Sequence, residues 1–280
     1  MSYKRIGIYA NPKRDKKLAG TAALARLLRD RGLFVCFDEK TLPYGETDII
    51  DYGNVDCLFV LGGDGTILKA ALKTCRFGVP MLGFNLGRLG FLTETKLCEA
   101  EQSIDTLLNG NFYVEERIML DCTVKDGLRE LFFIEALNDA AILKKEPSRM
   151  ISLKLFIGET LADDVACDGI LVSTPTGSTG YSLSAGGPIL SPQLKCLLAT
   201  PICAHSLHSR SLVVTEDERI TIRPAARSGM VLTTDGTKHI DIKNGQEVVI
   251  KKSSHTARFI RFSPDYFYPL LRKKFINWDR

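Results

Sequence analysis

No lysine follows a glycine anywhere in the chain, so a Walker-type phosphate loop, which needs a Gly-Lys step, is excluded. Gly-x-Gly-x-x-Gly is missing too, leaving ordinary nicotinamide binding at a first βα turn unsupported. So is the Gly-x-Ser-x-Gly elbow of α/β-hydrolases. No apolar run approaches the roughly 18 residues of a membrane helix. The chain passes from Met1–Arg5 directly into strand-like sequence, so neither a membrane span nor a secretory signal is expected. The 8 cysteines are scattered without a Cys-x-x-Cys pair, which argues against zinc and for reduced, mostly core thiols in a cytoplasmic protein. Histidine is scarce at 4, and His205-x-x-His208 alone is no persuasive ligand pair. A one-signed charge stripe is also lacking. The net charge of +4 is dispersed, which suits anionic metabolites and makes nucleic acid an unexpected partner.

What is present is 280 residues at 45% hydrophobic content, enough for a sizeable core in one or two domains. Strand and helix signals alternate at first. Residues 5–10 read as a buried strand closed by the loop Asn11-Pro12-Lys13-Arg14. Asp15 can cap the following helix, Leu24, Leu27 and Leu28 line one side of it, and Gly32 is placed to end it. Residues 33–37, 55–61 and 79–84 read as further strands. This alternation predicts a parallel α/β sheet, with ligands at the carboxyl ends of strands, where residues 62–66 and 85–90 fall. From Glu116 the texture changes to short β-type runs at 119–124, 131–136, 140–143, 151–157, 170–174, 212–215, 219–222, 230–234, 247–251 and 257–261. These predict a second, mainly antiparallel β domain. The tail, 266–278, has Phe267, Leu270, Leu271 and Phe275 at helical spacing. The expected organisation is an α/β domain over 1–115, with the tail helix 265–280 packing back on it, and a β-rich domain over 116–264.

Three segments carry chemistry. Leu61-Gly62-Gly63-Asp64-Gly65-Thr66 lies between an apolar strand and the helix-like run from Ile67 to Leu72. Its glycines let the backbone approach a bulky anion, and a helix N-terminus offers unpaired N–H groups to phosphate. Asp64 is the anomaly: a carboxylate beside phosphates repels them, so it needs work such as orienting or deprotonating a hydroxyl. The second segment, 168–188, sets a run of hydroxyls among glycines with Tyr181 embedded, a composition suited to a nucleotide's ribose, base and diphosphate. Asn138-Asp139 is the third, an amide and a carboxylate able to read a ribose diol or an exocyclic amine. Each also has a plainer reading, as a tight turn or a flexible loop. Asp163-Asp164 and Glu115-Glu116 are read as solvated turns, not metal ligands.

Taken in order, Gly62-Gly63-Asp64-Gly65-Thr66, Asn85-x-Gly87-x-Leu89-Gly90-Phe91-Leu92, Leu137-Asn138-Asp139, Asp168-Gly169 and the stretch from Thr174 to Pro188 resemble the bacterial NAD kinase family. The first motif also occurs in diacylglycerol, sphingosine and 6-phosphofructokinases; the long Thr/Ser/Gly motif and the ordered set are specific. The resemblance implies ATP-dependent phosphorylation of NAD at the 2′-hydroxyl of its adenosine ribose, and homodimers or homotetramers. It implies Asp64 as the catalytic base or orienter, with Gly65 beside it, and Lys69 meeting phosphate. Asn138, Asp139 and Asp168 would hold ribose and base groups, and Thr179, Gly180, Tyr181, Ser182, Leu183 and Ser184 would line the same pocket. Arg149 falls where the family often has a phosphate contact. The chain departs from the family in having Asp139 for a frequent Glu, Ala166 for a common Arg or Lys, and Gly180 for a frequent Ala. Because no protein metal cluster is evident, Mg²⁺ is expected to arrive with the triphosphate.

Overall fold

Strand β1 (Arg5–Ala10) is apolar enough to be buried on both faces, and it seeds a parallel sheet. The computed structural model describes residues 3–87, 90–146, 149–225 and 229–276. Arg88 and Leu89 of the Asn85–Phe91 motif, and Trp278 of the tail, lie outside them. The chain divides into two units, Met1–Glu116 with Thr256–Arg280, and Arg117–His255.

In the first unit, β1 is followed by α1 (Ala19–Arg29), β2 (Phe34–Phe37), β3 (Cys57–Gly62), α2 (Asp64–Thr74), β4 (Met81–Asn85), β5 (Thr95–Lys96) and α3 (Ala100–Leu108). Strand β1 pairs in parallel with β2 and β3, and β3 with β4, so the order is β2-β1-β3-β4. Asp15 sits just ahead of α1 and accepts from Gly20 N at 2.8 Å, Thr21 N at 2.8 Å and Thr21 Oγ1 at 2.6 Å, satisfying first-turn donors that would otherwise be orphaned. Gly32, at φ 76°, ends the helix in the left-handed conformation that glycine adopts without penalty. Ile6, Ile8, Leu24, Leu28, Phe59, Phe84 and Ile104 are fully buried in one cluster between the sheet and its helices.

Strands β6 (Tyr113–Asp126) and β17 (Gln246–Arg261) carry the chain from one unit to the other. In the first unit, Phe259 of β17 pairs in parallel with Met81. Helix α5 (Phe267–Ile276) ends the described chain, with Phe267 6.5 Å from the Phe91 ring and Lys274 4.6 Å above that ring.

The second unit contains β7 (Arg129–Ala136), β8 (Asp139–Lys144), β9 (Ile151–Ile157), β10 (Thr160–Cys167), β11 (Gly169–Ser173), the single turn α4 (Tyr181–Ser184), β12 (Cys196–Ile202), β13 (Leu212–Thr215), β14 (Ile220–Pro224), β15 (Met230–Thr234) and β16 (Lys238–Ile242). An antiparallel sheet runs β13-β12-β11-β8-β15-β16, while β10, β9, β14 and β17 pair in that order. Fully buried Leu120, Cys122, Leu153, Ile170, Val172, Leu197, Ile220 and Ile250 fill the core of this unit. Three strands of this unit, β10, β12 and β16, fall outside the runs that the sequence pattern predicts. Strands β10 and β16 are sheet-edge strands with charged residues, and β12 carries Pro201. The two runs at 247–251 and 257–261 are one strand, because polar Ser253–Thr256 hides its continuity.

Candidate functional site

In the first unit the strand register gathers the loops that follow β1, β3 and β4. Asn11 N donates to Leu61 O at 2.9 Å, and Asn11 Nδ2 to Thr66 Oγ1 at 3.4 Å, so the 11–14 loop lies beside the glycine turn. Asp64 opens α2 after the extended Gly63. Its Oδ2 accepts from Phe91 N at 2.8 Å and its Oδ1 from Leu92 N at 3.0 Å. The approach is close enough that a Cβ on Gly90 would stand 1.8 Å from Oδ1, so any other residue here displaces the carboxylate or the backbone beside it. Gly65 is different: a Cβ there meets nothing within 4 Å, and the backbone of the helix's first turn faces open space. Lys69 projects, exposed, from the next turn. The main-chain N–H groups of the first turn and the lysine one turn on can bind phosphate, and a carboxylate of fixed orientation can direct a hydroxyl.

The second unit builds its site around β8. Ser173 of β11 pairs with Asp139, and Thr234 of β15 with Ala140. That register brings residues 174–180, 137–139 and 235 together. Thr174 N donates to Asn138 O at 2.9 Å and Thr174 Oγ1 to Leu137 O at 2.6 Å. A Cβ on Gly177 would lie 2.1 Å from Asn138 O, which explains the glycine there. The Cβ position of Gly180 is 3.6 Å from Asn138 Nδ2 and 3.9 Å from Asp139 Oδ2. Asn138 Oδ1 is buried with no hydrogen-bond partner among the described residues. Burial, then the negative Asp235, pushes the Asp139 carboxyl up to about 7. Tyr181 is 42% exposed, leaving its ring available for stacking. Its hydroxyl pKa is raised by burial first and then by Cys203, Asp139 and Asp168, so it shares their surroundings.

The remaining expected residues divide. Asp168 pairs with Lys144 Nζ at 2.5 Å. Thr179 Oγ1 donates to Thr176 O at 3.3 Å, Leu183 is half-buried and Ser184 is exposed. Ser182 is buried, 3.5 Å from Thr200 Oγ1, and so faces the unit's interior. Arg149 is exposed beside Glu146 at 3.6 Å, and none of the described contacts brings it to Asn138, Asp139 or Tyr181.

An ATP-NAD kinase N-terminal domain model matches residues 6–112, and an ATP-NAD kinase C-terminal domain model matches residues 137–262. The NAD kinase of Symbiobacterium thermophilum is 46% identical over 225 residues, spanning 80% of this chain and 79% of that protein. The chain belongs to the NAD kinase family. Two solved structures share the architecture of this family member. The crystal structure of yeast NADH kinase complexed with NADH superposes with a TM-score of 0.88 at 23% identity, covering 99% of this chain and 88% of that one. That of an NAD kinase from Archaeoglobus fulgidus in complex with ATP gives a TM-score of 0.77 at 27% identity, covering 96% and 98%. The α/β unit followed by an antiparallel β unit is therefore the NAD kinase fold.

Several neighbours of the NAD kinase motifs carry no motif of their own. The guanidinium of Arg14 lies 3.2 Å from the Cβ position of Gly63 and 4.0 Å from that of Gly87, over the glycine turn. In sequence it is one more basic loop residue. The donors to Asp64 are main-chain N–H groups of Phe91 and Leu92, which no side chain advertises. Lys144, the partner of Asp168, reads as the polar end of a strand.

Proposed function

We propose that this chain transfers the γ-phosphoryl group of ATP to the 2′-hydroxyl of the adenosine ribose of NAD, making NADP. The observation that carries the reading is the Asp64 carboxylate, held by two main-chain N–H groups at the open first turn of α2. A ribose hydroxyl is a weak nucleophile, and phosphoryl transfer needs alignment and charge neutralisation more than covalent chemistry. Each Asp64 oxygen accepts one N–H and keeps a further lone pair for the hydroxyl. Accepting that hydrogen aims the oxygen at phosphorus and takes up the proton as the new P–O bond forms and the bond from the γ-phosphorus to the bridging oxygen of the departing ADP breaks, a contribution of roughly 10²–10⁴-fold. The backbone at Gly65, with Lys69 and Arg14, supplies positive potential for the nucleotide phosphates. Mg²⁺ enters as part of the nucleotide substrate. A turn offering a single carboxylate suits a cation that keeps its waters and phosphate ligands.

In the same reading the first unit handles the nucleotide phosphates and the second holds the dinucleotide. The Asn138 amide and the Asp139 carboxyl hydrogen-bond ribose and base groups, Tyr181 lies against a ring, and Asp168, Thr179, Gly180, Leu183 and Ser184 complete the lining. Ser182 supports it from the buried side, and Arg149 meets phosphate. Assembly into homodimers or homotetramers is part of the proposal, supported by half-exposed Phe132 and Phe133 on β7 and checked by light scattering after size exclusion. So is residence in the cytoplasm, supported by the scattered cysteines, which carry free thiols.

The test is purified protein incubated with NAD, ATP and Mg²⁺, with NADP read by an NADP-specific dehydrogenase and the new phosphomonoester assigned to the 2′ position by phosphorus NMR. Parallel reactions with GTP and polyphosphate define the donor. NAD binding without NADP from any donor would leave a sensor, not a kinase.

A further inference from the structure

The turn between β15 and β16 holds Asp235 in a way that an ordinary hairpin turn does not need. Asp235 is a non-glycine residue at φ 49°, followed by Gly236 at φ 62°. An aspartate in such a turn normally meets solvent or its own backbone. Here the side chain is buried, and it accepts from residues 96 to 98 positions away: Leu137 N to Oδ2 at 2.9 Å, Asn138 N to Oδ1 at 2.8 Å and Asp139 N to Oδ1 at 3.1 Å. Asp235 N returns a bond to Asp139 O at 3.0 Å.

The geometry at residues 137–139 is otherwise demanding. Strand β7 ends at Ala136 and β8 begins at Asp139, so these N–H groups stand where the ladder changes. On the other side of the same backbone, Thr174 binds Leu137 O and Asn138 O. The main chain is thus pinned from both sides, its donors by Asp235 and its acceptors by Thr174. Asn138 Oδ1 is left without a partner among the described residues, and Asn138 Nδ2 stands against Gly180.

We infer that Asp235 is a positioning residue for the dinucleotide, its carboxylate fixing the backbone of residues 137–139 so that the Asn138 amide and the Asp139 carboxyl present themselves to NAD. The inference rests on the reading of Asn138 and Asp139 as NAD contacts. It separates two aspartates of one buried pair. Burial raises the Asp235 carboxyl, and the three main-chain N–H groups work against that rise; the Asp139 carboxyl is raised by burial first and then by Asp235. Cys122 of β6 faces both aspartates, and Tyr181 of α4 faces Asp139.

Asp235→Asn is the informative variant, because asparagine tolerates the left-handed conformation while losing the charge and one acceptor. Asp235→Ala removes all three acceptors. The expected result in Asp235→Asn is a KM for NAD raised about tenfold, the size of one lost hydrogen bond to a charged group, with kcat and the KM for ATP nearly unchanged. The limb near neutral pH in the pH profile of NAD affinity moves to lower pH, because Asp139 loses a negative neighbour; a merely structural role would not move it. Hydrogen exchange on the wild-type protein should show the amides of residues 137–139 protected, and Asp235→Asn should lose that protection locally. Unprotected amides in the wild type, or a folded Asp235→Asn with wild-type NAD affinity and pH profile, would overturn the inference. Parallel losses in NAD and ATP parameters would do so too. If the wild type binds no NAD while its amide protection still depends on Asp235, the functional reading fails and the positioning role stands.

Discussion

Replacing Gly90 by alanine isolates the orientation of Asp64 without removing its carboxylate. An ideal Cβ at Gly90 falls 1.8 Å from Asp64 Oδ1, 2.5 Å from Cγ and 2.8 Å from Oδ2. Real Cβ contacts essentially never come under 3.0 Å, so the carboxylate or the 90–92 backbone must retreat by at least about 1.2 Å. Either movement breaks the bonds from Phe91 N and Leu92 N. Those bonds serve a partly solvated carboxylate, so their loss costs about 1–3 kcal/mol, well within the ~5–15 kcal/mol that a folded domain has in reserve. The melting temperature should fall by a few degrees while the fold persists. Catalysis should suffer more, because a 1 Å misplacement of a reacting group can cost roughly 10²-fold in rate. Steady-state kinetics with NAD and ATP should therefore show kcat down by about two orders of magnitude, the fall expected for such a misplacement. NAD affinity by calorimetry should stay near wild type. A folded Gly90→Ala protein with wild-type kcat would refute the claim that the fixed Asp64 geometry drives the reaction.

Asp64→Asn should bind NAD as before and lose most of kcat, since an amide oxygen offers two lone pairs where two N–H groups and a hydroxyl need three, and the amide cannot take up the proton; unchanged turnover would reject the role given to this carboxylate. Gly65→Ala meets no protein atom within 4 Å. It should melt at or slightly above the wild-type temperature, because alanine favours a helix by about 1 kcal/mol over glycine. It should nonetheless raise the KM for ATP by filling the phosphate approach, and an unaltered KM would place the triphosphate elsewhere. The Asp139 carboxyl, raised to about 7 by burial and then by Asp235, binds a proton in the folded protein that the unfolded chain has already lost. Stability should therefore fall as pH rises from about 4 to 7, the span between the unfolded and folded values. Asp139→Asn should flatten that slope in denaturant melts taken across the range, and an identical slope would show that Asp139 is not its source.

How much of this the sequence revealed follows from what side chains can advertise. Strand β1 and strands β9, β13 and β15 were legible to the residue, because short apolar or alternating runs flanked by turn residues have few other solutions. Strand β10 was not: its exposed edge carries Asp163 and Asp164 and an irregularity at Leu161–Asp163, so burial wrote no pattern into it. The same logic governs the candidate site. Asp64 was conspicuous as a carboxylate in a phosphate-type turn, and Gly90 was visible only as one letter of a motif. The reason for that glycine, a carboxylate lying where its Cβ would be, needed coordinates. Asp235 was invisible, because Asp-Gly before a strand reads as a hairpin turn whatever its side chain does. These cases share a physical cause. Asp15, Asp64 and Asp235 are each fixed by main-chain N–H groups of other residues, at 20–21, 91–92 and 137–139. A sequence displays the acceptor and conceals the donors, since every residue but proline carries the same N–H. Where backbone donors set the geometry of a site, the reacting group can be read directly, whereas what aims it emerges only once strand register has placed distant amides around it.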